Sequence, residues 1–193
     1  MVGGESTRAP VMKDHSRRPL LAWMACTVWA STWATNRRPS ATVIGLSRHG
    51  RPRTGFERVW PVAELADFLA RADFLVSVLP DTPATRGLLD ADAIAAMRRG
   101  AYFINVGRGS VVDEAALARA LNEGHLGGAA LDVFGAEPLP RNSPLWHAEN
   151  TLVTAHVAAR SWPRDIAAVF IDNFRRFAAG ERLRYSVDFE RGY

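Results

Sequence analysis

Three polar residues of this 193-residue chain are of the types that together hold an anion and deliver a proton: Arg108 in INVGRGS, Glu137 in LDVFGAEP and His156 in TAHVAA. A guanidinium can fork onto a carboxylate or carbonyl oxygen through charge-assisted hydrogen bonds. An imidazole exchanges protons near neutral pH, and a carboxylate beside it orients the ring and favours its charged form. Taken singly, each has a plainer reading as an exposed arginine, a loop acid or a satisfied histidine. Together, each at the end of one of three successive strands, they read as a working site.

The elements that must position them begin near Ala41. ATVIGL (41–46), FLVSVLP (74–80), AYFINV (101–106), GGAALDVF (127–134) and TLVTAHV (151–157) are short apolar runs of strand character. Between them, VAELADFLARA (62–72) carries Val62, Leu65, Phe68 and Leu69 on one helical stripe. Asp90 caps a helix through Met97 that stops at Gly100, and Asp113 opens EAALARALNEG, closed by Gly124. DIAAVFIDNFRRFAAG (165–180) is a long amphipathic helix with a glycine stop. Strands apolar on both faces that alternate with helices imply a parallel sheet covered by helices. Right-handed crossovers then bring every carboxyl end to one edge, where open α/β sheets bind ligands.

Composition narrows the function classes. A hydrophobic fraction of 48% and a charged fraction of 23% are those of a globular chain. The lone Cys26 excludes an internal disulfide and a cysteine-built zinc site, and no metal is expected. No uninterrupted apolar run reaches the ~18 residues of a spanning helix, so no membrane is expected. The net charge of +4 resides entirely in residues 1–40, which hold six basic and two acidic residues. The remainder balances, with 18 of each sign, which argues against nucleic acid.

Four ordered segments then become specific: VSVLPDTPATRGLLD (76–90), GAYFINVGRGSVVDEAALARAL (100–121), GGAALDVFGAEPLP (127–140) and NTLVTAHVAA (150–159). From about Ala41 onward the chain resembles the second half of a D-2-hydroxyacid dehydrogenase, nearest the glyoxylate/hydroxypyruvate reductase branch. The resemblance implies a Rossmann-like α/β fold, a parallel sheet with helices on both faces, truncated at its N-terminal side. It implies a cytoplasmic oxidoreductase that reduces a small 2-oxo acid with a nicotinamide cofactor, and a homodimer if the fold is intact. Arg108 would bind and polarise the oxo acid, His156 would be the general acid, and Glu137 would be its partner. Asp132 would contact the nicotinamide carboxamide, against the plainer reading of a loop-capping aspartate. Leu79, Pro80, Thr85, Val106 and Gly107 would line the cofactor, against the reading of ordinary turn chemistry.

The residues after 41–46 point to NADP(H) over NAD(H). NAD sites place an acid here for the adenosine ribose, and none occurs before Glu57. Ser47 and Arg48 suit a 2′-phosphate instead; otherwise Arg48, Arg51, Arg53 and Arg58 form a solvated loop.

Ahead of 41–46 the family pattern is expected to fail. No glycine lies between Gly4 and Gly45, so the G-x-G-x-x-G turn is missing, and with it the first strand and the sheet's centre. Residues 1–40 read as an irregular, possibly non-native leader, the product of a truncated gene, a wrong start or a shifted frame. Its Arg17, Arg18 and LLAWMACTVWASTWA resemble a signal peptide broken by Thr, Ser and Trp. A partial nucleotide-binding domain over 41–160 and a C-terminal helix and tail over 161–193 complete the expected layout. Losing two or three charge-assisted bonds to a pyrophosphate removes about 3–9 kcal/mol, or two to six decades of affinity. The competing function is therefore an inactive remnant that only binds nucleotide or dimerises.

Overall fold

The computed structural model describes residues 20–24, 42–159 and 161–189. Among them, seven strands form one sheet: β1 (Leu20–Met24), β2 (Thr42–Ser47), β3 (Val59–Pro61), β4 (Phe74–Ser77), β5 (Tyr102–Asn105), β6 (Gly128–Leu131) and β7 (Thr151–Val153). Their order is β3-β2-β1-β4-β5-β6-β7, with every neighbouring pair parallel. The helices are α1 (Leu65–Leu69), α2 (Ala91–Ala96), α3 (Glu114–Asn122) and α4 (Pro163–Ala178). The two expected aspartate caps are present. Asp90 accepts from the Ala93 N–H and Asp113 from the Ala116 N–H, each at 2.9 Å.

The two faces of the sheet are unequal. On one, Ala22, Met24, Ile44, Leu46, Leu75, Phe103 and Leu131 share a core with Phe68 and Leu69 of α1, Ile94 of α2 and Leu117 and Leu121 of α3. On the other, Leu21, Val43, Phe74, Tyr102 and Ile104 are only half-buried, with Phe74 stacked on Tyr102 at 5.4 Å. The period-2 geometry of each strand produces this division.

The central strand is a correction to the sequence reading. Residues 20–24, expected to be irregular leader, form β1 between β2 and β4, so the sheet keeps its centre. A strand hydrogen-bonded on both sides and buried on at least one face needs no apolar–polar alternation, so LLAWM has no period to detect. It is held by chemistry as well as packing. Asp73, buried at the start of β4, accepts from the Leu20 N–H at 2.8 Å, while its own N–H donates to the Leu20 carbonyl and Arg98 pairs with its carboxylate. The segment in which a glycine-rich turn and its helix were expected to be missing, 25–41, lies outside the described residues, as does the rest of the leader.

Strand ends also differ from expectation. The runs 74–80, 127–134 and 151–157 pair only as far as Ser77, Leu131 and Val153. Their remaining residues leave the sheet to build loops at the carboxyl edge. Strand order reverses at β1 and β4, so the crevice between their carboxyl ends is the switch point where such sheets take ligands.

Replacing Asp73 with Ala is expected to lower stability by about 1.5–3 kcal/mol, the worth of hydrogen bonds to a charged acceptor. Urea unfolding measures it, and faster amide exchange confined to 20–24 should accompany it. A loss under about 0.5 kcal/mol would show that the pin on β1 is idle.

Candidate active site

The loop after β5 carries Arg108, and Asn105 shapes it. The Asn105 side chain, 1% exposed, accepts from the Gly107 N–H and donates to the Arg108 carbonyl, both at 3.1 Å. Glycines let this loop press against its neighbours. A Cβ on Gly107 would lie 2.7 Å from the Leu79 backbone, and one on Gly109 would lie 1.9 Å from the Phe134 carbonyl carbon. The Gly109 contact is with main chain that cannot yield, so it fuses the loop after β5 to the one after β6. Arg108 and Glu137 are thereby carried on abutting loops, and the Arg108 guanidinium donates to the Gly107 carbonyl at 2.7 Å.

Glu137 sits in that second loop, before a cis Pro138. One carboxylate oxygen accepts from the Phe134 N–H at 3.0 Å, and the other meets His156 Nδ1 at 2.8 Å. The bond to His156, then the one to the Phe134 amide, holds the Glu137 pKa below the usual carboxylate range, with the Arg108 charge adding to the effect. Nδ1 is thus committed, and Nε2 makes no hydrogen bond among the described residues.

His156 follows β7 with φ = 54°, a left-handed conformation that costs a non-glycine residue about 1 kcal/mol or more. Asp132, 4% exposed at the end of β6, enforces it. Its carbonyl accepts from the His156 N–H at 2.8 Å. Its carboxylate accepts from Thr154 Oγ1 and from the N–H groups of Val157 and Ala158, the latter two at 2.8 and 2.9 Å. Burial pushes the Asp132 pKa up, but these donors and the His156 charge outweigh it, and the net shift is downward. This is the loop-capping geometry weighed for Asp132, and it leaves one lone pair of Oδ2 unspent.

The other expected residues fall in two groups. Leu79 and Pro80 follow β4, and Thr85 Oγ1 braces them by donating to the Pro80 carbonyl at 2.6 Å while accepting from the Thr82 N–H. Val106 and Gly107 follow β5. Asp81 links the two loops by accepting from Ser110 Oγ and pairing with Arg86, each at 2.9 Å. Ser47 and Arg48 lie apart from this group, at the end of β2 across β1. From β2 to β6 is four strand spacings, about 19 Å. Three positioning residues, Asn105, Gly109 and Thr154, were not singled out from sequence. A polar residue closing an apolar strand is the signal that would have found Asn105.

The family model "D-isomer specific 2-hydroxyacid dehydrogenase, NAD binding domain" matches residues 34–158. The chain belongs to this dehydrogenase family. A glyoxylate/hydroxypyruvate reductase A from Escherichia fergusonii is 39% identical over 147 residues, 76% of this chain and 47% of that protein. The chain therefore spans about half the length of the curated relatives it matches. Among solved structures, a D-isomer specific 2-hydroxyacid dehydrogenase from Xanthobacter autotrophicus, in complex with NADPH and MES, superposes with a TM-score of 0.83 at 41% identity. That match covers 93% of this chain and 76% of that one. An NADPH-dependent glyoxylate/hydroxypyruvate reductase from Sinorhizobium meliloti, in complex with NADP and sulfate, gives 0.84 at 38% identity, covering 91% and 57%. Among the described residues of this dehydrogenase chain, no helix is long and apolar enough to cross a membrane and no cluster could hold a metal ion.

Because the folded pKa values of Asp132 and Glu137 are depressed, their stabilisation is complete above the unfolded carboxylate range. It is lost as pH falls through the lower folded values. Asp132→Asn should cost about 1–3 kcal/mol at neutral pH and flatten the fall in stability below about pH 5. Urea midpoints measured from neutral to acid pH check both, and an unchanged acid slope would remove Asp132 from the clamp.

Proposed function

We propose that this chain carries the catalytic half of a reductase that converts a small 2-oxo acid of the glyoxylate or hydroxypyruvate type to its 2-hydroxy acid. The observation that carries the reading is the His156–Glu137 hydrogen bond beside Arg108, at the carboxyl edge of a dinucleotide-type sheet. The relatives named as glyoxylate/hydroxypyruvate reductases support it.

NADPH, when bound, supplies the hydride for the keto carbon. The fit of the chain to it is uneven. The loops at Leu79–Pro80 and Val106–Gly107 suit the nicotinamide end, and the spare lone pair of Asp132 Oδ2 suits a carboxamide N–H. Ser47 and Arg48, with no acid before Glu57, suit a 2′-phosphate, and the neighbours solved with NADPH and NADP support that preference. Between these ends the sequence offers no glycine from residue 5 to residue 44 for close approach to a pyrophosphate.

The residues divide the work by what each can do to a carbonyl. Arg108 forks onto the oxo acid, fixing its carboxylate and drawing charge toward the carbonyl oxygen. His156 presents Nε2, the nitrogen left over from Glu137, and delivers a proton to that oxygen as it becomes a hydroxyl. Glu137 holds the ring in register and stabilises its positive charge. Asp132 and Asn105 fix the backbones from which the imidazole and the guanidinium project.

The glycine gap favours a second reading, an inactive remnant that binds nucleotide weakly or only dimerises. One assay separates the two. Purified chain is incubated with NADPH and glyoxylate, and loss of nicotinamide absorbance is followed. Turnover that falls about 10²–10⁴-fold in His156→Asn, with nucleotide affinity nearly unchanged, is the expected result. No turnover at saturating NADPH would leave the remnant. NADPH should bind about ten- to a hundredfold tighter than NADH; equal affinities would overturn the assignment of Ser47 and Arg48.

A further inference from the structure

The loop that carries Glu137 is packed into the protein through its first half only. Asp132, Val133 and Phe134 are buried, whereas Gly135, Ala136, Glu137 and Pro138 all stand exposed. Side-chain packing therefore does not hold the backbone just ahead of the carboxylate that meets His156. Among the described residues, one hydrogen bond from outside the loop reaches the main chain of 135–139. It runs from the Gly135 N–H to Glu114 Oε1 at 2.6 Å, short even for a bond to a charged acceptor. Glu114 opens α3, 21 residues earlier in the chain, and its carboxylate has no other hydrogen bond among the described residues. Its own helix does not need it as a cap, because Asp113 already accepts from the Ala116 N–H.

On the reductase reading of this site, we propose that Glu114 is a positioning residue for the proton-delivering pair, acting on His156 through the main chain of the Glu137 loop. Two consecutive amides serve two different carboxylates. The Phe134 N–H donates to Glu137 Oε1 at 3.0 Å, and the Gly135 N–H donates to Glu114. With Glu114 withdrawn, the Gly135 N–H becomes a free donor two residues ahead of Glu137. It then competes for the carboxylate that holds His156 Nδ1 at 2.8 Å. Steric contact does not prevent this. Gly109 lies against the Phe134–Gly135 peptide, where a Cβ would come within 1.9 Å of the carbonyl carbon and 2.3 Å of the nitrogen. Such a contact resists approach but not departure, and the bond to Glu114 resists departure. Gly109 and Glu114 also belong to the one short segment that begins at Arg108. The guanidinium and the carboxylate of the site are thus both referred to the same piece of chain. A competing account needs only charge, since a carboxylate in the first turn of a helix is favoured by the dipole wherever it points.

Two conservative variants of the full chain separate these accounts. Glu114→Gln keeps an acceptor of the same reach and drops the charge. Glu114→Asp keeps the charge at the helix terminus and draws the acceptor back by one methylene. Nitrogen chemical shifts of the neutral His156 ring, assigned by their loss in His156→Asn, report which nitrogen carries the proton, a property set by the partner at Nδ1. The wild type and Glu114→Gln should show the Nδ1–H form, and Glu114→Asp should lose that preference. In turnover of glyoxylate with NADPH, Glu114→Asp should lower kcat about tenfold at unchanged KM for NADPH, and Glu114→Gln should remain within about twofold of wild type. The tautomer is read without turnover, so an inactive chain would count against the reductase reading while the spectrum still decides the role of Glu114. A Glu114→Asp spectrum identical to wild type, or a Glu114→Gln spectrum as altered as that of Glu114→Asp, overturns the proposal. Should either variant fail to fold, deuterium exchange of the wild-type chain decides. Protection of the Gly135 amide beyond that of its exposed neighbour Ala136 is expected, and equal exchange overturns the proposal.

Discussion

The carboxylate of Asp132 is the constraint on which the site rests. It stands at the end of β6 yet spends its acceptors on the segment after β7, taking Thr154 Oγ1 and two main-chain N–H groups while its carbonyl takes a third. Those bonds hold His156 at its positive φ. With them, the imidazole is delivered to Glu137, which takes Nδ1 and leaves Nε2 as the other ring nitrogen. Glu137 then needs only a short loop and one amide donor to complete the pair.

A second constraint acts from the other side. Asn105 shapes the turn that carries Arg108, and the loops on either side of it meet backbone to backbone at Gly107 and Gly109. The charged groups of the site therefore project from three strand ends that are cross-braced below them. The sheet supplies direction, since all strands are parallel and all carboxyl ends coincide, and the loops supply spacing.

Much of this was legible in the residues. Both aspartate-capped helices, the strands near 42–47, 74–77, 102–105, 128–131 and 151–153, and the place of Arg108, Glu137 and His156 after three successive strands follow from apolar runs, caps and breaks. Two things were not. β1 hid because a five-residue apolar strand, paired on both sides, has no alternation and sits in a stretch that otherwise reads as leader. Strand ends were overshot because apolar residues continue after the ladder ends: Leu79, Val133 and Phe134 are buried in loops and Val157 is exposed, and hydrophobicity does not record which amides a neighbour still receives. The three-residue β3 is too short for any periodicity.

Gly109 leaves a mark on how the site can move. Because its α-carbon rests on the main chain at Phe134, the arginine-bearing loop and the glutamate-bearing loop form a single stiff wall rather than two hinged flaps. Movement of one of these loops therefore has to carry the other with it, and a side chain at position 109 could be admitted only by prising the two apart.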